Sequence, residues 1–100
     1  MERKFDISDF VDTITEASIT EKLIKRVKLR RKELKYTQKE LAKRSGVNYA
    51  SIRRFETTGD ISLASLIKIA HAMNCLEDFN NLFKYEQITN LKDYKLWLKN

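Results

Sequence analysis

Between Thr37 and Glu56 the sequence TQKELAKRSGVNYASIRRFE sets two short helical patterns on either side of a tight turn, and no other stretch restricts the fold as strongly. Thr37 followed by Glu40 has the spacing of a capping box. The threonine oxygen can accept an orphan amide of the first turn, and the glutamate can return to the threonine's own amide. Leu41 and Ala42 supply an apolar side to this helix, and Gly46 supplies the backbone freedom that ends it without a Cβ clash. Asn48 is a good N-cap for a second helix through Tyr49, Ile52 and Phe55. Helices joined by so short a turn must cross steeply.

The second helix can be oriented from its periodicity. Ile52, Phe55 and Glu56 fall within one arc of about 100°, which faces the core. Half a revolution away lie Ala50 and Arg54, with Arg53 and Thr57 beside them and Tyr49 at the N-terminal tip. A steeply crossed second helix with such a face fits a DNA major groove. Arginine can grip guanine N7 and O6 with two hydrogen bonds, and a small alanine permits close approach and can touch a thymine methyl. An arginine pair is by itself ordinary solvated surface; its place on this helix is what favours DNA contact.

Charge points the same way. The formal net charge is +6, unevenly distributed: Glu21 to Gly59 carries thirteen Lys and Arg against four Glu. The first twenty residues hold two basic against five acidic, and Asp60 to Asn100 five of each. A positive field over the paired helices suits a polyanionic partner bound with strong salt dependence. Cys75 is the only cysteine and His71 the only histidine, which leaves no disulfide framework or cysteine-rich zinc site. No nucleophile, base and orienter can be assembled from them, so no catalytic residue, cofactor, metal or small-molecule substrate is expected. No apolar run approaches the ~20 residues of a membrane span, and MERKFDIS lacks the apolar segment of a signal peptide. A cytoplasmic protein with no membrane partner is the expectation.

The chain contains no proline, two glycines and no useful strand alternation, which predicts an all-helical protein. Ile7, Phe10, Val11 and Ile14 recur at helical spacing in an N-terminal extension, residues 1–19. Thr20 can cap a helix from Glu21 to about Lys35 with the stripe Ile24, Val27 and Leu34. Arg31 interrupts that stripe, so its guanidinium must meet a buried or half-buried anion at the core edge, and Glu56 is the candidate. Gly59 ends the helix after the turn, and Ser62 caps the next, whose apolar face is Leu63, Leu66, Ile67, Ala70 and Met73, with Asn74 as a stop. Leu76, Phe79, Leu82 and Phe83, introduced by Glu77 and Asp78, form a short fifth helix that closes the core of a domain spanning 20–84. The tail, 85–100, adds Ile88, Leu91, Tyr94, Trp97 and Leu98. Tyr94, Trp97 and Leu98 are rich in interface-forming residue types, and their cover is open between the same chain, a second copy and another protein.

From Lys22 to Phe83 the chain resembles the Cro and phage-repressor type of helix-turn-helix regulator. The resemblance rests on the basic RVKLRRKEL, T-Q-x-E-L, the turn A-x-x-S-G-V, S-I-x-x-F-E and S-L-x-x-L-x-x-I-A. It implies an all-α, five-helix lambda-repressor-like bundle, flanked here by the two extensions, and a dimer on a palindromic operator. It implies that Gln38 contacts phosphate and supports the second helix, that Tyr49, Ala50 and Arg54 read bases, and that Arg31 and Glu56 are a buried ion pair. The candidate DNA-contacting set is Thr37, Gln38, Asn48, Tyr49, Ala50, Ser51, Arg53, Arg54 and Thr57. Relatives often carry polar amides where Tyr49 and Ala50 stand, so their operators do not transfer. The span Phe55 to Phe83 is also similar to the antitoxin regulators that accompany HipA-type kinase toxins.

The leading expectation is a homodimeric, sequence-specific repressor of transcription that binds double-stranded DNA, with a kinase-like toxin as second partner if the antitoxin likeness holds. A stand-alone or phage-type repressor without a toxin is the alternative. A protein-interaction module in which DNA binding is secondary is another.

Overall fold

The structure, a computed structural model, describes residues 14–85. Five helices and no strand occur among them: α1 Glu16–Glu33, α2 Gln38–Ser45, α3 Tyr49–Thr58, α4 Leu63–Ala72 and α5 Leu76–Asn80. The fold is therefore an all-α, lambda-repressor-like bundle. Ile7, Phe10 and Val11 of the expected N-terminal helix lie outside the described residues, as do Ile88, Leu91, Tyr94, Trp97 and Leu98 of the tail.

The first helix begins earlier than Thr20. Thr15 is its N-cap: the Thr15 hydroxyl accepts from the Ser18 amide, and the Ser18 hydroxyl accepts from the Thr15 amide, each at 3.0 Å. Serine thus takes the part that glutamate plays in the commoner box. Thr20 sits inside the helix and donates its hydroxyl to the Glu16 carbonyl at 2.9 Å, an i−4 bond that lets threonine stay helical. The helix consequently runs without a break across position 20. At the other end Lys35 adopts φ 61°, with Lys35 N donating to Lys32 O and Tyr36 N to Arg31 O. This Schellman closure stops the helix at Glu33 and leaves Leu34 in the turn, exposed rather than in the core stripe. Leu23, Ile24 and Tyr36 pack against the core in its place.

Helix α2 starts at the Thr37 cap, whose hydroxyl accepts from Glu40 N at 2.9 Å. The reciprocal half of the expected box does not form, because the Glu40 carboxylate bonds Arg44 one turn on, at 2.8 Å. Gly46 at φ 77° ends the helix, and Gly46, Val47 and Asn48 make the turn, with Val47 buried. Asn48 then caps α3 through bonds from Ala50 N and Ser51 N. Val27, Leu41, Val47, Ile52, Phe55, Ile69 and Met73 form the core, so α3 is gripped between α1 and α2 while α4 backs α2.

Two sequence expectations fail in the second half. Ser62 caps α4 as expected, but Leu63 is exposed, and the buried positions are Ile69 and Ala70, followed by Met73 at the cap. Nearly every residue of LASLIKIAHA is apolar or small, so periodicity alone does not orient it. Asn74 at φ 62° closes α4 in a second Schellman motif, with Cys75 N donating to Ala70 O at 2.7 Å. Helix α5 is only five residues long and does not seal the core. Phe79 is half-buried, whereas Leu76 and Leu82 are exposed, and Phe83, at φ 59°, is 98% exposed. So short a helix buries only Phe79 of the four expected apolar side chains, and only partly.

The glycines flanking α3 differ in surroundings. A Cβ on Gly46 would meet nothing within 4 Å, but one on Gly59, at φ 84°, would drive into the Thr20 methyl and press on Ile24. Gly46→Ala should therefore cost about 1 kcal/mol from left-handed strain alone. Gly59→Ala should cost about 2–3 kcal/mol, because crowding against a β-branched side chain adds to the strain. Thermal melts of the two variants check the ranking; equal losses would show that α1 yields freely at Thr20.

Candidate nucleic-acid interface

The outer face of α3 is built from behind. Glu56 points inward from the helix and lies in the core edge with Arg31 of α1, their side chains 3% and 10% exposed. Arg31 Nε donates to Glu56 Oε2 at 2.8 Å and Nη2 to Oε1 at 3.0 Å, a two-point fork, while Nη1 donates to the Tyr36 carbonyl at 2.9 Å. Gln38 Nε2 adds a third bond to the carboxylate, reaching Oε1 at 2.9 Å. No buried side-chain polar atom among the described residues lacks a partner, so the ion pair carries no orphaned donor or acceptor. One carboxylate thereby ties α3 to both α1 and α2.

With Ile52, Phe55 and Glu56 turned inward, Ala50, Arg53, Arg54 and Thr57 are exposed together, and with Thr58 they line a shallow open groove. Tyr49 stands at the tip of the helix. Its ring meets both the Lys39 ammonium, 5.5 Å from the centroid, and the Arg53 guanidinium, 5.6 Å away, each within cation–π reach. An aromatic ring so placed gathers two positive charges at the N-terminal end of α3, the positive end of the helix dipole.

The remaining sequence-selected residues have mixed roles. The side-chain oxygens of Thr37 and Asn48 are engaged as helix caps. Ser51 is half-buried in the first turn of α3, and Thr57 donates its hydroxyl to the Arg53 carbonyl at 2.8 Å. Gln38 is half-buried, one amide hydrogen committed to Glu56. Arg54 is held from the side: its Nε and Nη2 both lie 2.8 Å from Asp60 Oδ2. Tyr94, Trp97 and Leu98 lie outside the described residues.

Two neighbours of this face were not selected from the sequence. Lys39 follows Gln38 in the first turn of α2, and its nearness to Tyr49 depends on the crossing of two helices, which spacing does not reveal. Asp60 had a local signal. Gly59 and Asp60 follow Thr58, the last residue of α3, and a left-handed glycine there folds the next residue back toward the helix it has just left.

A crossed helix pair with a polar-locked second helix and an exposed basic outer face defines a DNA-binding module. A family profile described as helix-turn-helix matches residues 27–80, more than half of the chain, from within α1 to the last residue of α5. The chain belongs to that family and is a DNA-binding transcription regulator. Searches of curated proteins and of solved structures returned no match. No helix among the described residues is long and apolar enough to cross a membrane.

Because Arg31 and Glu56 are both desolvated, Arg31→Ala or Glu56→Ala should each cost about 3–5 kcal/mol, the remaining charge being left buried. The double variant should lose clearly less than the sum of the singles. Denaturant unfolding of all four proteins gives the coupling energy, and strict additivity would mean that the pair does not act as a unit.

Proposed function

We propose that this protein represses transcription by occupying a palindromic operator as a homodimer, and that it is the autoregulatory antitoxin of an operon encoding a HipA-type kinase toxin. The observation that carries the DNA-reading role is the outward array of Ala50, Arg53 and Arg54 on a helix locked from behind by Glu56. Two such helices bound one helical turn apart, about 34 Å, would occupy successive major grooves and hide promoter DNA from polymerase. The protein acts by occupancy in the cytoplasm, without catalysis.

The antitoxin assignment rests on the similarity of Phe55 to Phe83 to regulators of that class and on the apolar side chains that α5 leaves uncovered, Leu76, Leu82 and Phe83. These features fit a chain that completes its surface against another protein. Tyr94, Trp97 and Leu98 are assigned to the same partner interface from their sequence pattern. A stand-alone repressor would use that interface only for its own dimer.

Arg54→Ala should weaken binding to a duplex selected from a genomic fragment pool by about 1–3 kcal/mol, with a smaller effect on random duplex and an unchanged melt. Equal loss on both duplexes would reassign Arg54 to phosphate. Gln38→Ala should lower affinity for both duplexes alike and reduce stability by about 1 kcal/mol, since the Glu56 carboxylate loses a donor. A changed base preference in a selection experiment would contradict the backbone role.

Trp97→Ala separates the partners. Loss of binding to the co-expressed product of the adjacent gene, with the dimer intact by sedimentation, supports the antitoxin. Loss of the dimer alone supports a simple repressor, and unchanged mass and partners would remove Trp97 from any interface.

A further inference from the structure

Arg54 does not stand alone on the outer face of α3, and the way it is held restricts what it can do. Asp60 Oδ2 receives both Nε and Nη2, each at 2.8 Å, so a single oxygen occupies one edge of the guanidinium. The adjacent, end-on edge, made of Nη1 and the second hydrogen of Nη2, is a fork of two parallel N–H groups. That fork is the geometry that matches guanine O6 and N7.

Asp60 is itself fixed by the helix end it follows. Its amide donates to Thr58 Oγ1 at 3.1 Å, and Thr58 Oγ1 donates to the carbonyl of Arg54 at 2.8 Å. Gly59, at φ 84°, turns the chain and packs against Thr20 of α1, where a Cβ would not fit. The carboxylate is thus tied to the backbone of the residue whose side chain it holds. The pair is 67% and 63% exposed, a setting in which an ion pair adds little stability, so orientation is the larger consequence.

We infer that Asp60 is a specificity-determining positioning residue: it aims the free fork of Arg54 into the groove and restrains the side chain from swinging to phosphate. The inference rests on the reading of Arg54 as a base contact. In the wild-type protein the carboxylate offsets the arginine's charge toward the DNA backbone and repels phosphate, so affinity for arbitrary sequence is low. Removing its charge while keeping its shape leaves Arg54 a mobile cation that any sequence can satisfy.

The test is binding of wild-type, Asp60→Asn, Arg54→Ala and the double variant to two probes of equal length. One probe is the duplex enriched from a random pool by the wild-type protein, and the other is the unselected pool. Asp60→Asn should tighten binding to the pool several-fold, reduce the selectivity ratio by about five-fold or more, and steepen the dependence of log affinity on log salt by about one ion. In the Arg54→Ala background the same substitution should leave the ratio unchanged. If Arg54→Ala weakens the selected duplex but Asp60→Asn shifts the ratio by less than about two-fold, the role of Asp60 is refuted while the base contact stands. An equal effect of Asp60→Asn with and without Arg54 refutes it too, since the effect would be one of general charge. If Arg54→Ala changes binding to neither probe, or no duplex is enriched, the base-contact reading falls and the inference with it.

Discussion

An ionised glutamate on the inward side of α3 is costly in a core edge unless every part of its carboxylate is answered, and that demand organises the domain. Glu56 is answered by the Arg31 fork from α1 and by Gln38 from α2. The packing of Ile52 and Phe55 supplies burial, but apolar contact is non-directional and tolerates rotation. Three charge-assisted bonds to one carboxylate do not tolerate it, because a turned helix would leave a buried charge unpaired. Energy and orientation are therefore supplied by different residues of the same helix. The stripe position that Arg31 takes between Val27 and Leu34 is the sequence counterpart of that arrangement.

A chain with only two glycines must end its helices by other means as well. Gly46 and Gly59 bracket α3, the second helix of the crossed pair. Lys35 and Asn74 close α1 and α4 in the same left-handed geometry, and both ends satisfy their carbonyls through Schellman bonds. Asparagine tolerates this backbone better than lysine, so the strain at Lys35 must be offset by what the turn positions. Tyr36 follows it directly, packs on the core, lends its carbonyl to Arg31 and carries the Arg44 guanidinium over its ring at 4.4 Å. The unfavourable φ thus places a residue that serves both core and ion pair.

What could be read in the sequence follows from how directional each local signal is. Thr37, Asn48 and Ser62 mark helix starts because their oxygens have one good use, and α3 could be rotated into place because its apolar and polar faces are distinct. Helix α4 offers no such contrast, being apolar on most sides, and its spacing points to Leu63 although Ile69 is the buried residue. The true start of α1 was marked by Thr15 and Ser18, a box whose serine is less conspicuous than a glutamate, and Thr20 looked like a cap although its hydroxyl can bond within a helix. The run from Leu76 to Phe83 carries helical spacing, but the helix ends at Asn80, and five residues of helix give packing little to hold. Lys39 required a tertiary fact, the crossing of α2 and α3 that brings it to Tyr49, whereas Asp60 is signalled locally by the left-handed Gly59 before it.

The charge of the central segment overstates the number of cations able to meet phosphate. Arg31 is consumed inside the fold, Arg44 is divided between Glu40 and the Tyr36 ring, and Arg54 is shared with Asp60. Lys39 and Arg53 are gathered around Tyr49, so their charges are presented together at one end of α3 rather than spread over the surface. Delocalised positive charge would strengthen binding to every duplex equally, since the phosphate backbone is uniform. Cations held in fixed directions by rings and carboxylates lose part of that general attraction and gain a dependence on where acceptor atoms lie. The net charge of the segment is therefore a poor guide to how many of its cations are free to meet phosphate, since several are restrained within the fold.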